Sequence, residues 1–249
     1  MQANLTSIRT VRNGHIELVQ ASDLRNRVKA AGHVLIDLGT GDASFPYREA
    51  KSKPDTLCIG VDPAAENMLK ISSRIGRKPS RGGVDNLLLL VASVENLPPV
   101  LNGIATRVTI LFPWSGLMRS LVAPDRTVLE AVRALLIPNG FIEALLNLQV
   151  FSDQEYRQRH DLPEFDPFHA RNPLADEYAK ARLRISDWEI VEPGQMTMRT
   201  TWGQHLTRGS GRLTLRVVAH NMPMPDEGLS RPGSAAGGDF PETACDSPA

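Results

Sequence analysis

At 249 residues the chain is long enough for one α/β domain with a full core. Apolar residues at 41% and charged residues at 22% are ordinary for a folded protein, and two cysteines, Cys58 and Cys245, exclude a disulfide or cysteine–metal framework. Net charge is zero, which by itself argues against a nucleic-acid partner, but residues 222–249 hold five acids and one base, leaving 27 basic to 23 acidic residues in the body.

The first residues lack a basic-then-apolar leader, and no apolar run reaches membrane-spanning length, so a cytoplasmic protein without membrane contact is expected. Residues 5–20 alternate around Asn13-Gly14 and predict a β-hairpin. Ser22 is placed to cap a short helix ending near Ala31, which leads into a first core strand over 33–37. A glycine turn over 39–43 opens a helix over 44–52. A second strand, 56–61, ends in Asp62-Pro63 and is followed by a helix over 64–75. Arg77, Lys78 and Arg81, with Gly82-Gly83, read as a flexible basic linker that forms a cationic cluster with Lys70 and Arg74; plain surface solvation explains the segment equally well.

The apolar stretch 86–93 is a third strand, followed by Glu95. Residues 107–111 form a fourth, running into Phe112-Pro113-Trp114-Ser115-Gly116. A helix over 125–136, stopped by Pro138 and Asn139-Gly140, precedes a fifth strand over 141–148. The polar, Pro-rich stretch 151–171 reads as an irregular insertion, within a longer 151–187 connection that ends in a helix over 173–185. A sixth strand over 188–192, a long loop over 196–211 and a seventh strand over 212–219 complete the body, the last strand antiparallel if it pairs with the sixth. Residues 1–221 thus form a single domain, and 222–249 have the composition of a disordered tail. The alternation of strands and helices is that of a Rossmann-like α/β sheet of seven strands, the class I methyltransferase architecture, with an added N-terminal hairpin.

The stretch Asp37-Leu38-Gly39-Thr40-Gly41-Asp42 narrows the ligand. Gly39 and Gly41 allow a sharp turn and close approach of a nucleotide-like cofactor at a strand end. Asp37 stands where phosphate would meet repulsion, and Ser44 occupies the third glycine position of the dinucleotide fingerprint. S-adenosylmethionine, which has an amine, a sulfonium and a ribose diol but no phosphate, therefore fits better than NAD. Asp62, at the end of the second strand, suits ribose hydroxyls, although a helix-capping role can coexist; Glu95 suits the adenine amine. Trp114 and Trp202 stand in loops above the same sheet edge and can hold a purine by stacking, at about 1–3 kcal/mol per base. Trp188, at a strand start, reads as core. The six histidines lack metal-ligand spacing, and no metal is expected.

Asp37-Leu38-Gly39-Thr40-Gly41-Asp42, Gly60-Val61-Asp62-Pro63, Glu95-Asn96-Leu97-Pro98, Leu111-Phe112-Pro113-Trp114 and Thr201-Trp202-Gly203 together resemble the aminoglycoside-resistance methyltransferases that modify N1 of adenine 1408 in 16S rRNA. The likeness covers about residues 5–220. It implies that Asp37, Gly39, Gly41, Asp62, Pro63, Ala92, Glu95 and Leu111 line an S-adenosylmethionine site. It implies that Trp114 and Trp202 sandwich a flipped adenine, with Phe112, Ser115 and Thr200 supporting the pocket. Lys70, Arg74, Arg77, Lys78, Arg81, Arg208 and Arg212 would grip the decoding-site helix of 16S rRNA in the 30S subunit. One departure is that Gln204-His205 stand where the family tends to place arginine, so Arg208 is preferred to His205 as a contact. A monomer is the simpler expectation for so large a substrate. A methyltransferase of the same fold acting on tRNA or a small molecule, and a non-catalytic RNA-binding relative, remain the alternatives.

Overall fold

The computed structural model describes residues 7–192 and 213–223. The chain opens with β1 (Ser7–Arg12) and β2 (His15–Gln20), paired antiparallel through Asn13 and Gly14, whose positive φ angles of 51° and 80° suit a two-residue hairpin turn. Helix α1 (Ala21–Ala30) begins directly after β2. Ser22 therefore lies inside the helix and is not its cap; Gln20, still paired with Ser7, holds that position without a side-chain bond.

Strand β3 (His33–Leu38), helix α2 (Ser44–Ser52), strand β4 (Thr56–Asp62), helix α3 (Ala65–Ile75) and strand β5 (Leu87–Val91) build the first parallel half. β4 is buried throughout, and β3 throughout after His33, because structure covers both faces of the sheet. The basic stretch after α3 is not the flexible linker expected. Pro79–Arg81 form one 3-10 turn, the Gly83 amide donates to the Lys78 carbonyl at 3.1 Å, and the Tyr47 hydroxyl donates to the Gly82 carbonyl at 2.7 Å. A Cβ on Gly83 would stand 1.6 Å from the Arg77 carbonyl oxygen, so only glycine closes this turn.

Strand β6 (Ala105–Leu111) is followed by two helices where one was expected, α4 (Ser115–Val122) and α5 (Arg126–Ala134). Asp125 caps α5, its carboxylate accepting from the amides of Thr127 and Val128 at 2.8 and 3.4 Å. Strand β7 (Leu136–Asn147) begins five residues before its expected start. It passes through Pro138 by a register shift against β6, with Asn139 at φ 63° and no room for a Cβ at Gly140, 2.9 Å from the Ala105 carbonyl.

The insertion is partly regular: α6 (Gln149–Ser152) and α7 (Gln154–Arg159) precede α8 (Arg171–Lys180), which ends before the expected 185. Strand β8 (Leu183–Val191) takes up those residues, so Trp188 lies mid-strand, packed against the core with its indole N–H donating to the Pro167 carbonyl at 2.9 Å. Strand β9 (Thr214–Asn221) is antiparallel to both its neighbours.

These strands form one nine-stranded sheet among the described residues, in the order β2-β1-β5-β4-β3-β6-β7-β9-β8. The last seven positions are the methyltransferase sheet, and the hairpin extends it, β1 meeting β5 antiparallel at Thr10 opposite Leu90. One apolar cluster joins α1, α4, α5 and α8 to the sheet; a second joins α2 and α3 to it. Toward β8 the α2–α3 face carries charge: Glu143 accepts from Arg107 and Arg216, each at 2.7 Å, and Arg216 also pairs with Asp187. Strand order reverses between β3 and β6, which puts the ligand crevice above their carboxyl ends.

Candidate active site

That crevice is a cavity of about 620 Å³ lined by the loops that follow β3, β4, β5 and β6. Its floor begins at Asp37, which is 2% exposed. The Thr109 hydroxyl donates to Oδ1 and the Thr40 hydroxyl to Oδ2, each at 2.6 Å. Burial pushes this carboxyl up to about 6, against the pull of those two hydroxyls and of Arg107. Asp37, read from the sequence as part of the cofactor site, lines this cavity, and with each oxygen accepting from a threonine it braces the turn that follows. In that turn Gly39 and Gly41 take φ angles of 67° and 55°, and a Cβ on Gly41 would meet nothing, so its face toward the cavity is open.

Asp62, expected to hold ribose hydroxyls and able to cap the next helix, does not stand at the cap of α3, which is Ala64. Its Oδ1 accepts from the Ala64 amide at 2.9 Å, ahead of α3, and its Oδ2 accepts from the Gly41 amide at 2.8 Å, joining the β3 and β4 loops. Burial raises its pKa, opposed by the same two amides. Pro63, Ala92, Glu95 and Leu111 also line the cavity, with Glu95 exposed on the turn after β5. Among the described residues the lining holds four carboxylates, Asp37, Asp42, Asp62 and Glu95, and no Lys, Arg or His. Such a wall repels phosphate and suits a ligand that carries an amine, a sulfonium and hydroxyls.

Phe112, Pro113 and Trp114 close the far side. Phe112, at φ 52°, is 3% exposed and its amide donates to the Leu145 carbonyl at 2.8 Å. Trp114 is 51% exposed at the mouth. Ser115, at φ 44°, starts α4 and does not line the cavity. Two non-glycine residues at positive φ within four positions hold this turn in a strained form, at about 1–3 kcal/mol each. Lys70, Arg74, Arg77, Lys78 and Arg81 lie on α3 and the turn after it, away from the cavity lining. Thr200, Trp202, Arg208 and Arg212 lie outside the described residues.

Residues 9–221 match the NpmA family, described as 16S rRNA (adenine(1408)-N(1))-methyltransferase. The chain belongs to that family. A 16S rRNA (adenine(1408)-N(1))-methyltransferase of Streptoalloteichus tenebrarius is 33% identical over 186 residues, 74% of this chain and 85% of the relative. The crystal structure of the antibiotic-resistance methyltransferase Kmr is 42% identical, with a TM-score of 0.73, and covers 87% of this chain and 99% of its own. A tryptophan-to-alanine variant of the 16S rRNA (adenine(1408)-N(1))-methyltransferase from Catenulisporales acidiphilia, solved with the cosubstrate SAM, is 28% identical at a TM-score of 0.80. It covers 88% of this chain and 99% of its own.

As a member of this methyltransferase family the chain uses S-adenosylmethionine, which the acidic cavity fits. Sequence reasoning missed Thr40, Asn67, Ser93 and Leu117, which line the same cavity, and Thr109, which holds Asp37 from β6. Thr40 sat inside the quoted motif; Thr109 had no signal, because only the register Asp37 opposite Thr109 brings it there. Among the described residues no cluster of His, Cys, Asp or Glu could hold a metal, and no helix is long and apolar enough to cross a membrane.

Proposed function

We propose that this methyltransferase, acting as a cytoplasmic monomer, methylates N1 of adenine 1408 in 16S rRNA of the assembled 30S subunit and so confers aminoglycoside resistance. The observation that carries this reading is the half-exposed Trp114 on a strained turn at the mouth of an acidic cavity, in a chain of this family. N1 lies on the Watson–Crick edge, so the adenine must leave its stack to react, at a cost of a few kcal/mol. Trp114 on one side and Trp202 on the other would hold the extruded ring, with Phe112 backing the turn. S-adenosylmethionine supplies an electrophilic methyl group on a sulfonium. Asp62 and Glu95 would hold its ribose and adenine, while Asp37, through Thr40 and Thr109, would keep the Gly39–Gly41 turn in place.

Adenine N1 is neutral at pH 7 and has its own lone pair, so the chain need supply no general base. Its contribution is to orient the acceptor and exclude water, and orientation alone can supply most of the acceleration. The methylated ring is cationic, and indole faces favour that charge. Lys70, Arg74, Arg77, Lys78, Arg81, Arg208 and Arg212 would neutralise backbone phosphates around the target.

The test is incubation of purified 30S subunits with labelled S-adenosylmethionine, followed by reverse transcription. N1 methylation blocks base pairing, so a new stop beside adenine 1408 is expected. Label in tRNA or a metabolite with none in 30S would favour another substrate, and 30S binding without transfer would favour a non-catalytic relative. Trp114→Ala and Trp202→Ala are each expected to abolish transfer while leaving cofactor affinity unchanged by calorimetry; full activity in either would remove the sandwich.

A further inference from the structure

The connection between β7 and β8 contains α7, and α7 contains Tyr156, whose ring centroid stands 6.2 Å from that of Trp114 with the planes tilted by 52°. The His160 ring follows at 4.2 Å from Tyr156, tilted by 40°. These separations and tilts fall in the range where aromatic rings attract beyond simple burial. Trp114 is thus contacted at its ring as well as along its backbone. Its main chain is held, since its carbonyl accepts from the Met118 amide at 3.4 Å and Phe112 is fixed beside it. Tyr156 meets the indole itself, the half-exposed part of the residue that these backbone bonds do not reach.

Tyr156 is itself well anchored. Asp153 Oδ1 accepts from the Tyr156 amide at 2.9 Å in the first turn of α7. Past the end of α7, Asp161 pairs with Arg119 of α4 at 3.3 Å, and the buried Tyr178 hydroxyl of α8 donates to the Leu121 carbonyl of α4 at 3.1 Å. The insertion is thus fastened to the helix that Trp114 precedes, at points separate from the ring contact.

We infer that Tyr156 is a positioning residue for methyl transfer: it sets the angle of the Trp114 indole over the cavity, and through it α7 governs how the acceptor base is held. The inference rests on the function proposed above for what Trp114 does, but the restraint of Trp114 by Tyr156 stands apart from the identity of the substrate. Tyr156 acts through Trp114 and exchanges no proton.

The experiment uses the full chain with Tyr156→Ala and Tyr156→Phe. In a background where Trp188 and Trp202 are replaced by phenylalanine, acrylamide quenching of the remaining indole reports the freedom of Trp114. In chains that keep all three tryptophans, methyl transfer to 30S gives kcat and KM. Tyr156→Ala is expected to raise the quenching constant and lower kcat about tenfold, with KM, cofactor affinity and melting temperature little changed. Tyr156→Phe keeps the ring and is expected to restore both readouts. Unchanged quenching overturns the inference whatever the substrate, as does a fall in melting temperature and cofactor affinity that tracks the loss of kcat. If the parent chain leaves 30S unmodified, the proposed function fails while the quenching comparison still decides the role of Tyr156.

Discussion

Asp37 keeps its charge at neutral pH against the resistance of burial. Because the folded state raises this carboxyl to about 6, it holds the proton more tightly than the unfolded chain does. The ionised group therefore costs stability above about pH 6, and the cost fades as pH falls toward the ordinary carboxylate value near ~4. Relative to Asp37→Asn, which cannot titrate, the parent is expected to gain on the order of 3 kcal/mol between pH 7 and pH 4, read by urea melts at each pH. A difference that does not vary with pH would mean that Asp37 is solvated. Asp37, Asp62 and Trp114 were legible in the sequence because each follows an apolar run that can only be a buried strand. Thr109 was not, since its meeting with Asp37 spans 72 positions and depends on the pairing of β3 with β6, which neither segment encodes alone.

The turn from residue 77 to 83 and the helix α4 were both misread, for opposite reasons. Gly82-Gly83 and a run of bases suggested freedom, yet Gly83 is there because the Arg77 carbonyl leaves no space for a side chain. In α4, Gly116 and the positive φ of Ser115 hide a helix start behind residues that ordinarily mark a loop. Gly83→Ala is expected to open the turn, lowering stability by about 1–3 kcal/mol by thermal melt. If the turn presents Arg77, Lys78 and Arg81 to phosphate, the same variant is expected to weaken 30S binding and flatten its salt dependence, as Arg77→Glu with Lys78→Glu would. Unaltered binding in both would return these bases to ordinary surface. The insertion was the least legible element, because its ring contact with Trp114 reaches across three other helices and a strand in the chain.

At the scale of the whole molecule, the sheet is held in two different ways. Its β5-to-β6 half lies between apolar layers, whereas β6, β7, β9 and β8 are joined on one face by the Arg107–Glu143–Arg216–Asp187 pairs. Glu143→Gln leaves two guanidinium groups facing a neutral amide. A loss on the order of 2 kcal/mol is expected from the urea midpoint, less than the ~3–5 of a wholly buried pair because the Arg216 side chain retains 31% exposure. The architecture was legible because strand-end acids and helix patterns alternate in chain order, but nothing local announced this ladder, which again depends on register. The hairpin at the other end of the sheet has a consequence for solubility. Without β1, the Leu87–Val91 strand would offer its unpaired amides and carbonyls and four successive leucines to any other chain, the makings of edge-to-edge aggregation. With it, the outermost strand is β2, where His15 and Glu17 interrupt the apolar residues, so the hairpin serves as a colloidal guard at a place remote from the chemistry.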